Sequence, residues 1–214
     1  MALSPQKLQK KRAKKVASRR SVKSKSPHVP DASINTRGNW LRGISSPIHE
    51  VCTNENLFQG GMGTLVFCRK TPDQHCVVVM FLLDTYCLGV KKVVQSVMTP
   101  EQYSDMKLRL EQSHGARFLP TDPRAARRLL DDLVAWSRQL GFEPASEYEA
   151  AAKILGDTPP ATDELSFTFG MEGKPFYISG PRDSPARSKR IVDQLEKKCG
   201  LGGFDYMISG PGGF

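Results

Sequence analysis

The residues with the most evident capacity for chemistry stand at the end of an apolar run. Residues 80–92 read MFLLDTYCLGVKK, so Asp84, Cys87 and Lys91 follow one another closely. An aspartate that is half buried at a strand end has a raised proton affinity, and it can bind a metal or act as a base. These three residues are therefore the candidates for a catalytic site, and they suggest a small phosphate-handling hydrolase.

A structural role for Asp84 fits the same residues. Its carboxylate can accept hydrogen bonds from the amides of Tyr86 and its neighbours in an Asx-turn, which requires no substrate. No second acidic residue and no histidine lies nearby in the sequence, so the structural interpretation is favoured.

A second candidate site lies near residue 184, where the sequence predicts the start of a helix. Arg182 and Arg187 flank this start, and the first amides of a helix have no partner within it. Arg182, Ser184 and Arg187 are therefore predicted to bind an anion such as phosphate or carboxylate. The alternative is that Asp183 and Ser184 already cap these amides.

Metal binding and nucleophilic catalysis have weaker support. The possible ligands between residues 49 and 87 are His49, Cys52, Cys68, His75, Cys76 and Cys87. His75 and Cys76 are adjacent in a predicted strand and face opposite sides, so they cannot share one ion. A nucleophilic Cys87 needs His75 or His114 beside it, which only the tertiary fold can provide. We predict no metal and no cofactor.

The positive charge of the chain is concentrated at its N-terminus. The whole chain has 31 Lys and Arg against 22 Asp and Glu, a net charge of +9. Residues 1–26, which we call the basic segment, hold ten of the basic residues and no acidic one, so the remainder has 21 basic and 22 acidic residues, a charge of −1. The ten are Lys7, Lys10, Lys11, Arg12, Lys14, Lys15, Arg19, Arg20, Lys23 and Lys25.

A basic segment of this kind is typical of phosphate binding. Lys and Arg gather the phosphates of RNA, DNA or a ribosome surface and release counterions, whereas the absence of aromatic residues argues against base stacking. The alternatives are a solubilising tail, attraction to anionic lipids, or a targeting signal, of which an organellar presequence is disfavoured because the segment is Lys-rich.

The composition predicts two regions. Residues 1–47 combine the basic segment with Ser, Pro, Asn and Gly and few large apolar side chains, so we expect a disordered tail and linker. Trp40 and Leu41 mark the expected first contact with the folded part. Residues 48–214 are predicted to form a single α+β domain.

The first strands of that domain are predicted from β-rich runs. LVFCRK and HCVVVMFLLD, joined by TPDQ, predict a hairpin, and CLGVKKVV predicts a third strand. The second run is apolar at both odd and even positions, which is typical of a central strand buried on both faces.

Helix signals follow, and then strand signals return. Thr99 and Gln102 predict a capping box, Asp122 to Leu140 a long amphipathic helix, and residues 146–155 a shorter one. LSFTFG and KPFYISG predict a second hairpin, Ser184 opens a last helix, and FDYMISG predicts a final strand. This order predicts a mixed or antiparallel sheet with helices packed on it.

The cysteines and the hydropathy of the chain indicate the cellular compartment. The five cysteines are odd in number and contain no CxxC pair, which favours free thiols in a reducing cytoplasm. No run reaches the roughly 18 apolar residues of a membrane helix, and the N-terminus lacks the apolar centre of a secretory signal.

Two motifs carry a resemblance to other proteins. FLLDTYCLGVKK and FTFGMEGKPFYISGPRDSPARSKRIVDQL resemble an uncharacterised bacterial group that shares Leu-Asp-x-Tyr-Cys-Leu-Gly-Val-Lys and Gly-Lys-Pro-Phe-Tyr-x-Ser-Gly-Pro. The resemblance covers about residues 47 to 206. It implies a bacterial, cytosolic protein, and it assigns no catalytic residue.

The sequence thus predicts a non-enzymatic accessory protein that binds nucleic acid through its basic segment. The hydrolase near Asp84 is the first alternative, and a protein-interaction module whose partner contacts the sheet is the second.

Overall fold

The computed structural model describes residues 36–162 and 164–208. The helices are α1 (Arg37–Ile44), α2 (Leu57–Gly60), α3 (Pro100–His114), α4 (Pro123–Gln139), α5 (Tyr148–Ala151) and α6 (Pro185–Cys199), and a 3-10 helix spans Ala152–Leu155. The strands are β1 (Ile48–Asn54), β2 (Met62–Lys70), β3 (Cys76–Asp84), β4 (Gly89–Met98), β5 (Phe118–Pro120), β6 (Phe176–Ile178) and β7 (Asp205–Met207).

A five-stranded antiparallel sheet forms the centre of the domain, with strand order β4-β3-β2-β1-β5. Strands β2 and β3 pair along their whole length, from Met62 opposite Asp84 to Lys70 opposite Cys76. The predicted hairpin, the predicted third strand and the α+β fold class are therefore confirmed. A smaller sheet contains β6 and β7.

Strand β3 is buried on both faces, as the sequence predicted. On one face Val77, Val79, Phe81 and Leu83 belong to a core that includes residues of α4 and α5. On the other face Cys76 and Val78 pack with Tyr103 of α3. The sheet therefore lies between two helical layers, because neither face of β3 can be left in water without losing apolar burial.

Helices α3 and α4 begin where their capping residues predicted. The side chain of Thr99 accepts from the amide of Gln102, and the side chain of Gln102 accepts from the amide of Thr99. Asp122 accepts from the amide of Arg124 at 2.7 Å. The predicted apolar stripe of α4 is buried, and it consists of Ala126, Leu129, Leu130, Leu133 and Val134.

Strands β1 and β5 extend the sheet beyond the predicted hairpin. The pairing of β1 with β2 is irregular between Ile48 and Glu50. The apolar residues of IHEVCTN do not alternate regularly along this strand. Strand β5 has only three residues. Neither segment carried a strand signal in the sequence, because pairing with a neighbour, and not local propensity, makes each of them extended.

Helix α1 alters the predicted domain boundary. Residues 36–47 were expected to belong to a disordered linker, and instead Arg37–Ile44 is helical, with Trp40 and Ile44 packed against the core. The predicted first contact at Trp40 agrees with this packing. Residues 1–35, and with them the rest of the predicted tail, lie outside the described residues.

A buried arginine joins α1 to the C-terminal half of the fold. The guanidinium of Arg69 donates to the carbonyl oxygens of Ser46, Ile154 and Leu155, and the residue is only 8% exposed. Three carbonyls compensate for the burial of this charge, and they fix the end of α1 beside the 3-10 helix.

The predicted hairpin of LSFTFG and KPFYISG is wrong. Residues 165–170 form no strand, and Met171 and Lys174 make only an isolated bridge. Phe167 stacks on Phe58 and Phe169 contacts Trp136, so aromatic packing against the rest of the core replaces strand pairing. Strand β6 pairs in parallel with β7 instead, and this pairing confirms the predicted final strand.

The five cysteines are free, as expected. Within the described part of the chain no helix has the length and apolarity needed to cross a membrane.

Two glycines of α1 test whether this helix is docked on the sheet. A Cβ atom at Gly43 would lie 2.1 Å from the side chain of Val77, whereas one at Gly38 would have no neighbour closer than 3.9 Å. We therefore expect Gly43→Ala to lower the free energy of unfolding by about 1–3 kcal/mol through overpacking. The matched variant Gly38→Ala should raise it by up to about 1 kcal/mol, because alanine favours the helix.

Urea denaturation of both variants measures the difference. Equal effects of the two substitutions would mean that α1 does not pack on β3.

Candidate functional site

The two motifs singled out in the sequence meet in space. Residues 85–88 connect β3 to β4, and residues 170–178 run beside this turn. The amide of Gly170 donates to the carbonyl of Thr85 at 2.8 Å, and the amide of Phe176 donates to the carbonyl of Tyr86 at 3.0 Å. Two segments about ninety residues apart in the sequence thus form one region, which we call the turn site.

Asp84 is capped by its own turn. One carboxylate oxygen, Oδ1, accepts from the amides of Tyr86 at 3.1 Å and Cys87 at 2.9 Å. The other oxygen, Oδ2, lies 3.6 Å from the ammonium of Lys91. Asp84 is 5% exposed, so the Asx-turn is the role that its surroundings favour.

The pKa of Asp84 has opposing influences. Burial raises the pKa above its usual value, and the charge of Lys91 and the amides of Cys87, Leu88 and Tyr86 offset part of this rise. The ammonium is itself largely covered, since the side chain of Lys91 is 16% exposed. The pair is therefore a buried charge pair that holds the turn, and both of its members are already engaged.

Cys87 faces an apolar cluster. Its neighbours in this cluster are Leu88, Leu140, Tyr177, Ile191 and Leu195. Burial raises the pKa of the thiol far above its usual value, with a further rise from the nearby Asp84 carboxylate. A thiol that stays protonated is a poor nucleophile, so the side chain of Cys87 contributes packing.

A second set of polar groups lies at the start of α6. The Tyr177 hydroxyl donates to Asp183 Oδ2 at 3.0 Å and is 2.9 Å from the Ser188 hydroxyl. The amide of Gly180 also donates to Asp183 Oδ2, at 2.9 Å. Tyr177 and Ser188 are almost completely buried.

Asp183 is the anionic centre of this set. Burial raises its pKa, but hydrogen bonds from Gly180 and Tyr177 and the charges of Lys91 and Arg187 outweigh that effect, so the pKa is lowered overall. Because Lys91 acts on both Asp84 and Asp183, the two polar sets are electrostatically connected.

The predicted anion-binding residues are partly occupied by this network. The Ser184 hydroxyl accepts from the amide of Arg187, which makes Ser184 the N-cap of α6. The guanidinium of Arg187 lies 3.0 Å from Asp183 Oδ1. Arg182 is exposed, and the described residues offer it no ion pair. The capping alternative from the sequence thus holds for Ser184, whereas Asp183 accepts from the amide of Gly180 and pairs with Arg187 instead of capping the helix amides.

Two members of the polar set at the start of α6 were missed in the sequence. Ser188 precedes the apolar residues Ile191 and Leu195 at helical spacing, so its burial was readable from the period of α6. Tyr177 carried no such signal, because its partners Asp183 and Ser188 are brought to it only when α6 folds back on β6.

The histidines considered with Cys87 lie elsewhere. His75 precedes β3 at the strand end opposite Asp84, and it lies 3.1 Å from Asp73. His114 contacts Thr64 at 3.1 Å and packs against Phe118. Residues 36–162 and 164–208 contain no group of three or more His, Cys, Asp or Glu side chains that could bind a metal ion.

Comparisons with protein-family models, with curated proteins and with solved structures gave no match. The properties of the turn site therefore rest on its own geometry.

The lowered pKa of Asp183 predicts a pH-dependent contribution to stability. A carboxylate whose pKa is lower in the folded than in the unfolded protein stabilises the fold above its unfolded pKa of about 3.9, and this contribution is lost as the pH falls through the folded pKa. We expect Asp183→Asn to lower the free energy of unfolding by about 1–3 kcal/mol at pH 7, and by progressively less toward pH 2.

Urea titrations across this pH range measure the effect. Asp193→Asn is the matched control, because Asp193 is an exposed carboxylate of α6, the helix that follows Asp183, and it pairs with Lys189. A destabilisation by Asp183→Asn that is constant from pH 7 to pH 2 would contradict the prediction.

Proposed function

We propose that this protein is a non-enzymatic accessory protein that binds nucleic acid through its basic segment. The nucleic acid is RNA, DNA or the surface of a ribosome. The observation that carries the proposal is the distribution of charge. Residues 1–26 have ten cationic side chains and no anionic one, while the other residues sum to −1. Such a segment binds phosphates chiefly by releasing their counterions.

The pairing of cations in the folded part supports this division. Many basic side chains there already face a carboxylate within 4 Å, so they attract a polyanion less than unpaired cations do. The pairs include Arg117 with Glu55, Arg127 with Asp131, Arg138 with Glu143, Lys107 with Glu50 and Lys189 with Asp193.

The occupied groups of the turn site favour binding over catalysis. Both oxygens of Asp84 have partners, and the thiol of Cys87 is buried among apolar side chains. A general base or nucleophile must reach a substrate atom, and these groups are directed at their own loop. The hydrolase alternative therefore has less support than nucleic-acid binding.

The proposal predicts steeply salt-dependent binding. A labelled RNA duplex of about 20 base pairs, followed by fluorescence anisotropy, is a suitable probe. If six phosphates are contacted, the affinity of the full chain should fall about a thousandfold between roughly 50 and 200 mM salt, with a log–log slope near −5. Because backbone phosphates are contacted, duplexes of different sequence and of DNA should bind similarly.

Charge-matched variants locate the binding element. Replacing Lys7, Lys10, Lys11, Arg12 and Lys14 with Gln removes half of the ten cations and should make the slope less steep by about three. The control replaces the exposed body residues Lys92, Arg124, Arg190, Lys197 and Lys198 with Gln, which removes the same charge and should change the slope little. Equal losses in the two variants would show that net charge alone drives binding, and retention of full affinity after deletion of residues 1–26 would refute the proposal.

A further inference from the structure

Helix α3 covers only part of the sheet face on which it packs. Between α3 and strands β3 and β4 a groove of about 520 Å³ remains, which is within the range of pockets that hold small organic molecules. Its apolar lining consists of Met80, Val94, Met98, Met106 and Leu110. None of the residues that line the groove belongs to the turn site.

The floor of the groove is apolar and open at one side. Met80 of β3 lies opposite Val94 of β4, and β4 is an edge strand of the sheet. Val94 is 38% exposed, although it points toward the face that α3 covers. Methionine side chains are flexible and polarisable, so the three methionines can adapt to ligands of different shape.

A buried hydroxyl with no partner lines this groove. Ser96 lies on β4 opposite Val78 and is 7% exposed. Within the described residues its Oγ atom makes no hydrogen bond. Buried polar groups are normally satisfied, so this hydroxyl marks a position where a ligand oxygen can donate or accept.

The rim of the groove carries a cation and an anion. Arg109 and Asp105 both line it, one helical turn apart on α3, and both are exposed. The described residues provide no ion pair for Arg109. Asp105 offsets the charge of Arg109, which disfavours a polyphosphate more strongly than a singly charged ligand.

We propose that this groove binds a medium-chain aliphatic carboxylate with an oxygen substituent on its chain. The chain lies along the methionines, the substituent hydrogen-bonds to Ser96 Oγ, and the carboxylate pairs with Arg109. The site belongs to the folded part, so it is independent of the nucleic-acid binding proposed for residues 1–26.

Methionine methyl groups report on the groove directly. In the full chain labelled with ¹³C at the methionine methyls, 3-hydroxydecanoate should shift the NMR signals of Met80, Met98 and Met106. The signals of Met62, Met171 and Met207 are internal controls, because none of these residues lines the groove.

Two substitutions separate the polar contacts. Ser96→Ala should weaken the binding of 3-hydroxydecanoate by about three- to tenfold, because the partner of its hydroxyl is removed. The affinity for decanoate, which has no hydroxyl, should not change. Arg109→Gln should weaken the binding of 3-hydroxydecanoate by about two- to fivefold at low salt. The affinity for the uncharged decane-1,3-diol should not change.

A third substitution tests the cavity itself. Met106→Trp fills the groove and should weaken the binding of all three probes at least tenfold. Leu108→Trp is the matched control on the same helix, since Leu108 is 56% exposed and does not line the groove. Circular dichroism of both variants verifies that they are folded.

Several results would overturn the proposal. These are the absence of shifts at millimolar probe, equal affinity in Met106→Trp and the unmodified protein, or shifts in the control methionines only. If deletion of residues 1–35 moves the three groove signals, the chain's own segment is the occupant. If those signals change with protein concentration alone, a second copy is the occupant.

Discussion

The burial of β3 on both faces is the constraint on which the rest of the structure depends. Its nine residues are apolar except for the final aspartate, so both sides of the central strand must be covered. Helix α4 supplies one cover and α3 the other, and α1 completes the first layer where Gly43 touches Val77. The free energy gained by burial is proportional to the apolar area that is buried. A strand of this composition therefore favours a fold with helices on both faces of the sheet over one that leaves a face in water.

The end of the same strand determines what the polar residues do. Asp84 leaves the apolar run at a point where the chain must reverse, and it satisfies the amides of the turn that follows. Lys91 connects this carboxylate electrostatically to Asp183 at the start of α6. A buried carboxylate of this kind resembles a catalytic acid in sequence, yet its oxygens are used by the fold. The turn site therefore joins the sheet to the last helix.

The two proposed binding activities follow from different physical forces and different parts of the chain. The proposed binding of nucleic acid depends on cations that are close together in the sequence with no acidic residue among them, as in residues 1–26. The groove beside Ser96 depends on apolar area and one unsatisfied hydroxyl, which arise where α3 leaves the edge of the sheet uncovered. High salt should weaken the first strongly and affect the second only at Arg109.

Local interactions were determined by the sequence itself. The caps at Thr99 and Asp122, the apolar stripe of α4 and the double-sided burial of β3 depend on residues close in the chain, so their spacing predicted them. The sequence also separated the basic segment from a nearly neutral remainder. It also predicted that Asp84 caps its own turn and that Ser184 caps α6, because these bonds span two or three residues.

Only the tertiary structure decided the contacts between distant segments. The docking of α1, the carbonyl partners of Arg69, the parallel pairing of β6 with β7 and the network of Tyr177 depend on groups that meet after the chain folds. The same holds for the groove, whose two walls come from β4 and α3. Residue spacing encodes which face of an element is apolar, but not which distant element covers it or how much of it stays open.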